Sequence, residues 1–86
     1  MHIDQTAKNY LLDLGNILSE YAVEAKVDTL AKSGTQGHDF AQGYLMGLHR
    51  VITLMQQQAE AFSLSLADVG LAKINEDFFF DNRREL

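Results

Sequence analysis

The residues of this chain whose types and spacing could do chemistry are few: three histidines and a run of acids recurring every fourth position. His38 and His49 share a helical face, but at 1.5 Å per residue about 16 Å of helix axis separates them, too far to hold one metal ion. The Glu-x-x-His pattern of di-iron helical bundles is absent. His2 lies at the N-terminus, and both other histidines read most simply as solvated surface groups. His38-Asp39 is a sequence-adjacent pair that a helix turns about 100° apart, so it is not an oriented acid–base dyad.

Glu20, Glu24 and Asp28 stand at i, i+4 and i+8 on one helical flank. Like charges at that spacing repel slightly unless a cation or a basic partner relieves them. All-α nucleotide pyrophosphatases hold Mg²⁺ with paired Glu-x-x-Glu and Glu-x-x-Asp motifs, and neither motif occurs here. A solvated acidic face is the plainer reading, followed by a contact for a basic protein surface.

Nucleophilic and phosphate chemistry find no support. The chain has no cysteine, its serines lack a Gly-x-Ser-x-Gly turn, and no glycine pattern precedes a Lys-Ser/Thr pair. No cofactor is implied. Twelve acids against seven bases give a net charge of −5, which opposes direct binding to nucleic-acid phosphates. The nearest basic cluster is Arg83-Arg84. The apolar runs are too short to span a membrane, and the first residues, MHIDQTAKN, show neither a basic segment nor an apolar signal core. A cytoplasmic location is the resulting expectation.

The elements that would position these side chains are helical. From Phe40 to Phe62, residues Ala41, Tyr44, Leu48, Val51, Met55, Ala59 and Phe62 recur at spacings of three and four, the signature of an amphipathic helix. Asp4 is a candidate N-cap for an earlier helix, whose main stripe holds Ala7, Tyr10, Leu11, Leu14, Ile17, Leu18, Tyr21, Ala22 and Ala25. A second stripe on that helix, Leu12, Val23, Val27 and Leu30, points the opposite way, and one partner helix cannot cover both. Between the helices, residues 32–37 break the periodicity. Gly34 suits a left-handed C-terminal position and Thr35 or Asp39 the next N-cap.

The expected fold is therefore all-α and forms one domain over residues 1–86. A helix over about 5–32, a loop over 33–38 and a helix over about 39–62 make an antiparallel hairpin, followed by short helical turns at 65–70 and 75–83. Ser65 and Asp68 read as a capping pair, Gly70 as a stop and Asn75 as a cap before Phe78-Phe79-Phe80. Three adjacent phenylalanines cannot all face inward on a helix, so at least one should stay exposed or fill a groove of another subunit. At this size, with no disulfides, self-association into a four-helix dimer is the expected source of further stability.

Gly43 and Gly47 bear on that assembly. Each costs a helix about 1 kcal/mol relative to alanine, and with Leu54 and Ala61 they form a narrow, smooth strip, flanked by Arg50 and Phe40 and well away from the main stripe. The strip could admit a second helix closely, or the glycines could merely relieve crowding against the first helix of the same chain. The functional expectation is a small, non-enzymatic interaction module acting as a homo-oligomer. Its contact residues would be Gly43, Gly47, Arg50, Leu54, Ala61, Val23, Val27, Leu30 and Phe78, Phe79 and Phe80, with the acidic flank Glu20, Glu24 and Asp28. Two alternatives stand beside it. One is an acidic inhibitor, of the immunity or phage anti-defence kind, covering a basic nucleic-acid-binding surface of another protein. The other is an enzyme or small-ligand binder whose pocket forms between subunits, using Tyr44, His49 or Arg50.

Overall fold

A computed structural model describes residues 4–80 of the chain. Two long antiparallel helices dominate it: α1, Gln5–Ala31, and α2, His38–Ala61. A single 3₁₀ turn at Ala67–Val69 and a short helix, α3, Glu76–Phe80, follow in the C-terminal segment. No strand occurs among the described residues. Arg83 and Arg84 lie outside them, as does the end of the turn expected over 75–83.

Local sequence sets the element ends. Asp4 caps α1 by accepting a 3.3 Å hydrogen bond from the Thr6 amide. Gly34 takes φ +79° in the connecting loop, the left-handed region that glycine enters without penalty. The N-cap of α2 differs from expectation. It is Gly37, with no side-chain cap, because the Thr35 hydroxyl instead donates to the Lys32 carbonyl at 2.7 Å and closes the loop on α1. Asp39 falls inside the first turn of α2, where its charge favours the positive end of the helix.

Past α2 the chain reverses through Ser63, whose φ is +61°. The Leu64 amide donates to the Ala59 carbonyl at 2.8 Å and the Ser63 amide to that of Glu60 at 3.0 Å, the paired bonds of a Schellman ending. Ser65 and Asp68 then cap each other reciprocally, each amide donating to the other's side chain at 3.1 Å. Gly70 ends the 3₁₀ turn at φ +74°, and the Asn75 side chain accepts from the Phe78 amide at 3.0 Å.

The core has three contributors. Ala22 and Ala25 of α1 meet Leu45, Ile52 and Ala59 of α2, and Val69, Leu71, Ile74 and Phe79 of the C-terminal segment close over them. This corrects the expected stripe of α2. The buried positions are Ala41, Leu45, Ile52 and Ala59, while Tyr44, Val51 and Phe62 are exposed. The reason is the third layer: α2 must serve both α1 and the C-terminal segment, so its buried arc turns away from Tyr44 and Val51. The same layer handles much of the second stripe of α1. Val23 packs against the core and Leu30 is half-buried, whereas Leu12 and Val27 stay exposed.

A close crossing fixes that layer in place. A Cβ added to Gly15 would overlap the Val69 carbonyl oxygen, and one on Gly70 would stand 2.5 Å from the Leu12 carbonyl oxygen. The two backbones touch because neither residue has a side chain. Ser19 adds a hydrogen bond to the Gly70 carbonyl at 3.1 Å.

A candidate interaction face

The C-terminal segment occupies one face of the helical hairpin and leaves the other open. Its contacts on α1 come from Gly15, Ser19 and Lys26, and on α2 from His49 and Gln56. Ser19 and Lys26 each follow a residue turned toward α2 or its seam, Leu18 and Ala25, by one position. His49 and Gln56 are displaced in the same rotational sense, four positions after the buried Leu45 and Ile52. In an antiparallel pair, residues displaced in that sense from the seam fall on one face, and residues displaced the other way fall on the opposite face.

That opposite face carries an apolar band, which on α1 ends at Tyr21 and gives way to the exposed Asp28. From α1 it carries Tyr10, Leu14, Ile17 and Tyr21, at spacings of four, three and four. From α2 it carries Tyr44, Leu48, Val51, Met55 and Phe62. Tyr10 is 66% exposed and Phe62 72%, and Ile17, Tyr21, Tyr44 and Val51 are also exposed. Leu14, Leu48 and Met55 are half-buried between them. Scattered apolar residues on a surface are ordinary, whereas a continuous band of this kind makes the face a candidate for interaction.

The strip singled out in the sequence is the rim of this face. Gly43, Gly47, Arg50, Leu54 and Ala61 each precede a face residue by one position and are exposed. A Cβ at Gly43 or Gly47 would meet nothing within 4 Å, so neither glycine relieves crowding against α1. Phe40, 82% exposed, continues the same side of α2. The acids of α1 do not line one edge of this face: Glu20 borders a groove with Ser19, Gly70 and Lys73 on the covered side, Glu24 is exposed, and Asp28 makes a 3.2 Å ion pair with Lys32.

The three phenylalanines separate. Phe79 is buried in the core, so it is not a surface contact. Phe78 is half-buried and packs on Lys26. Phe80 is 61% exposed, which leaves it alone of the three as a large apolar surface group. Val27 is exposed on the side of α1 away from the bare face, while Val23 and Leu30 are largely taken up within the chain.

Three polar residues that anchor the C-terminal segment are not evident from periodicity. Lys26 is 3% exposed, its Nζ donating to the Phe78 carbonyl at 2.6 Å and lying 4.5 Å from the centroid of the Phe78 ring. Gln56 Nε2 donates to the Ile74 carbonyl at 2.6 Å and that of Leu71 at 3.3 Å. The His49 ring stands edge-on to Phe79 and Phe80, with centroids 4.7 and 5.3 Å away. Its Nε2 is buried and has no hydrogen-bond partner among the described residues. Each of these groups depends on a segment far away in sequence, and no local pattern announces such a contact.

The groups considered for catalysis or ligand binding stay dispersed. His38 Nδ1 and Asp39 Oδ1 are 3.8 Å apart at the start of α2, a surface ion-pair distance. His49 and Arg50 line a shallow depression with Thr53, Leu54 and Gln57, without Tyr44. Among the described residues, no three His, Asp or Glu side chains converge as metal ligands would, and no helix is long and apolar enough to cross a membrane. Comparison of the chain with protein families, curated proteins and solved structures gives no match.

Proposed function

We propose that this protein is a small interaction module that acts by binding, as a homo-oligomer, and that the bare face of the hairpin is its working surface. The observation carrying this reading is the band from Tyr10 to Tyr21 on α1 and from Tyr44 to Phe62 on α2, exposed while the opposite face is covered by the chain's own C-terminal segment. A hairpin with one apolar face bare has the form of half a four-helix bundle. The arrangement of polar groups favours binding over catalysis, since His38, His49 and the acids of α1 sit on separate surfaces.

The test is to place charge in the middle of the face. Val51→Lys is tolerated within one chain, because Val51 is 46% exposed. Helicity by circular dichroism should be retained while association is lost. Association that survives Val51→Lys and Ile17→Lys together would remove this face from the interaction.

The acidic-inhibitor reading retains one specific support, the exposed acids Glu20 and Glu24 of α1. It differs in its salt response. Binding of a basic partner to these acids weakens as ionic strength rises, whereas apolar association of two chains of charge −5 is held or strengthened as their mutual repulsion is screened.

A further inference from the structure

We infer that α2 pairs antiparallel with α2 of a second copy of this chain, through a heptad seam that runs along the α2 edge of the bare face. The inference rests on the homo-oligomeric reading above and names the helix and the side chains that make the contact.

Spacing and exposure together define the seam. Phe40, Tyr44, Gly47, Val51, Leu54, Gln58 and Ala61 follow one another at alternating intervals of four and three, the repeat by which one helix packs lengthwise on another. All seven are exposed. The positions that α2 buries within the chain are different ones, Ala41, Leu45, Ile52 and Ala59, so the heptad stripe is left over once α1 and the C-terminal segment are in place.

Charge indicates what covers it. Between Asp39 and Glu60, Arg50 is the one Asp, Glu, Lys or Arg of α2, whereas α1 carries Asp13, Glu20, Glu24 and Asp28. Two chains of net charge −5 can therefore meet through α2 and keep their acids out of the contact. The footprint is adequate. The 24 residues of α2 span about 36 Å, which with a molecular width of 20 Å offers on the order of 700 Å² per chain, close to what each partner buries in a standard stable interface.

Side-chain size sets the direction. Parallel α2 helices would place every seam residue against its own copy, joining Gly47 to Gly47 across a void and crowding Phe40 on Phe40. Antiparallel helices can instead set Tyr44 against Ala61 of the second copy, Gln58 against Gly47 and Val51 against Leu54, so that each small residue receives a larger one. In that register Arg50, at the edge of the seam, comes beside Gln57 of the second copy rather than beside its own counterpart. The space over Gly47, where an added Cβ would meet nothing within 4 Å, is what the second helix fills.

The absence of native cysteine lets a single label report the direction. Gln36 is exposed in the loop before α2, so Gln36→Cys accepts a spin label. In the antiparallel register the two labels of a dimer should stand about 50 Å apart, and in a parallel pair about 20 Å. A distance near the shorter value would overturn the antiparallel pairing.

Leu54→Lys tests the seam itself. Leu54 is 58% exposed, so the variant should keep its helicity by circular dichroism, while a lysine in the central layer should weaken dimerisation about a hundredfold. Unchanged dimerisation of Leu54→Lys would overturn the seam and leave the homo-oligomeric reading standing. Sedimentation of the unmodified chain as a monomer would overturn that reading as well.

Discussion

Lys26 Nζ lies 2.6 Å from the carbonyl oxygen of Phe78 and 4.5 Å from the centroid of the Phe78 ring, so one buried cation joins the middle of α1 to the last described helix. A charged donor held this way makes a stronger bond than a neutral one, and the ring supplies a second attraction where a carboxylate could have stood.

Lys26→Met keeps the aliphatic stem and removes both interactions. It also removes the cost of burying a charge, so the net loss should be modest, about 1–2 kcal/mol in urea unfolding. Hydrogen exchange should show the loss concentrated at residues 74–80, with α1 and α2 protected as before. Uniform loss of protection across both long helices would contradict a local anchoring role.

The glycines divide into two kinds with opposite predicted effects. Gly15→Ala drives a methyl group into the Val69 carbonyl, where backbone meets backbone and neither can yield cheaply. It should cost about 3 kcal/mol or more and release the C-terminal segment. Gly43→Ala and Gly47→Ala enter open space and should each raise helix stability by about 1 kcal/mol. Measuring the latter on the Val51→Lys background separates helix propensity from association. On the unmodified background the added methyl groups should weaken assembly, and unchanged assembly would take the strip out of the interface.

Ser63 holds a left-handed position that glycine occupies more readily, at φ +61°. Ser63→Gly should stabilise the chain by up to about 1 kcal/mol, read as a higher denaturation midpoint at constant slope. A destabilised variant would mean that this reversal is not the Schellman ending its hydrogen bonds describe.

Local chemistry made much of the fold legible in the sequence. Asp4, the Ser65–Asp68 pair, Gly70 and Asn75 are all caps or stops whose action reaches only a few residues. The two long helices follow from periodicity for the same reason. What periodicity could not supply is the rotation of α2. Its apolar residues occupy well over half the circumference, so the hydrophobic pattern admits burial on Tyr44, Val51 and Phe62 as readily as on Leu45, Ile52 and Ala59. The choice is made by Leu71, Ile74 and Phe79, which arrive from the C-terminal segment. Gly15 and Lys26 were hidden likewise, because a glycine and a lysine inside a helix carry no signal until the backbone that crosses them is known. The candidate site was partly legible: Gly43, Gly47, Arg50, Leu54 and Ala61 do share one exposed strip. The Tyr10–Tyr21 and Tyr44–Phe62 band reads as core in the sequence, since an exposed apolar face has the same periodicity as a buried one.

Whether the bare face is covered in solution is measured directly by sedimentation equilibrium of the unmodified chain at micromolar concentration. One chain has a mass of 9.6 kDa. The unmodified chain should sediment at twice that mass, reverting to the single-chain mass in Val51→Lys with helicity unchanged. A well-folded unmodified chain that sediments as a monomer throughout this range would contradict homo-oligomeric binding through this face.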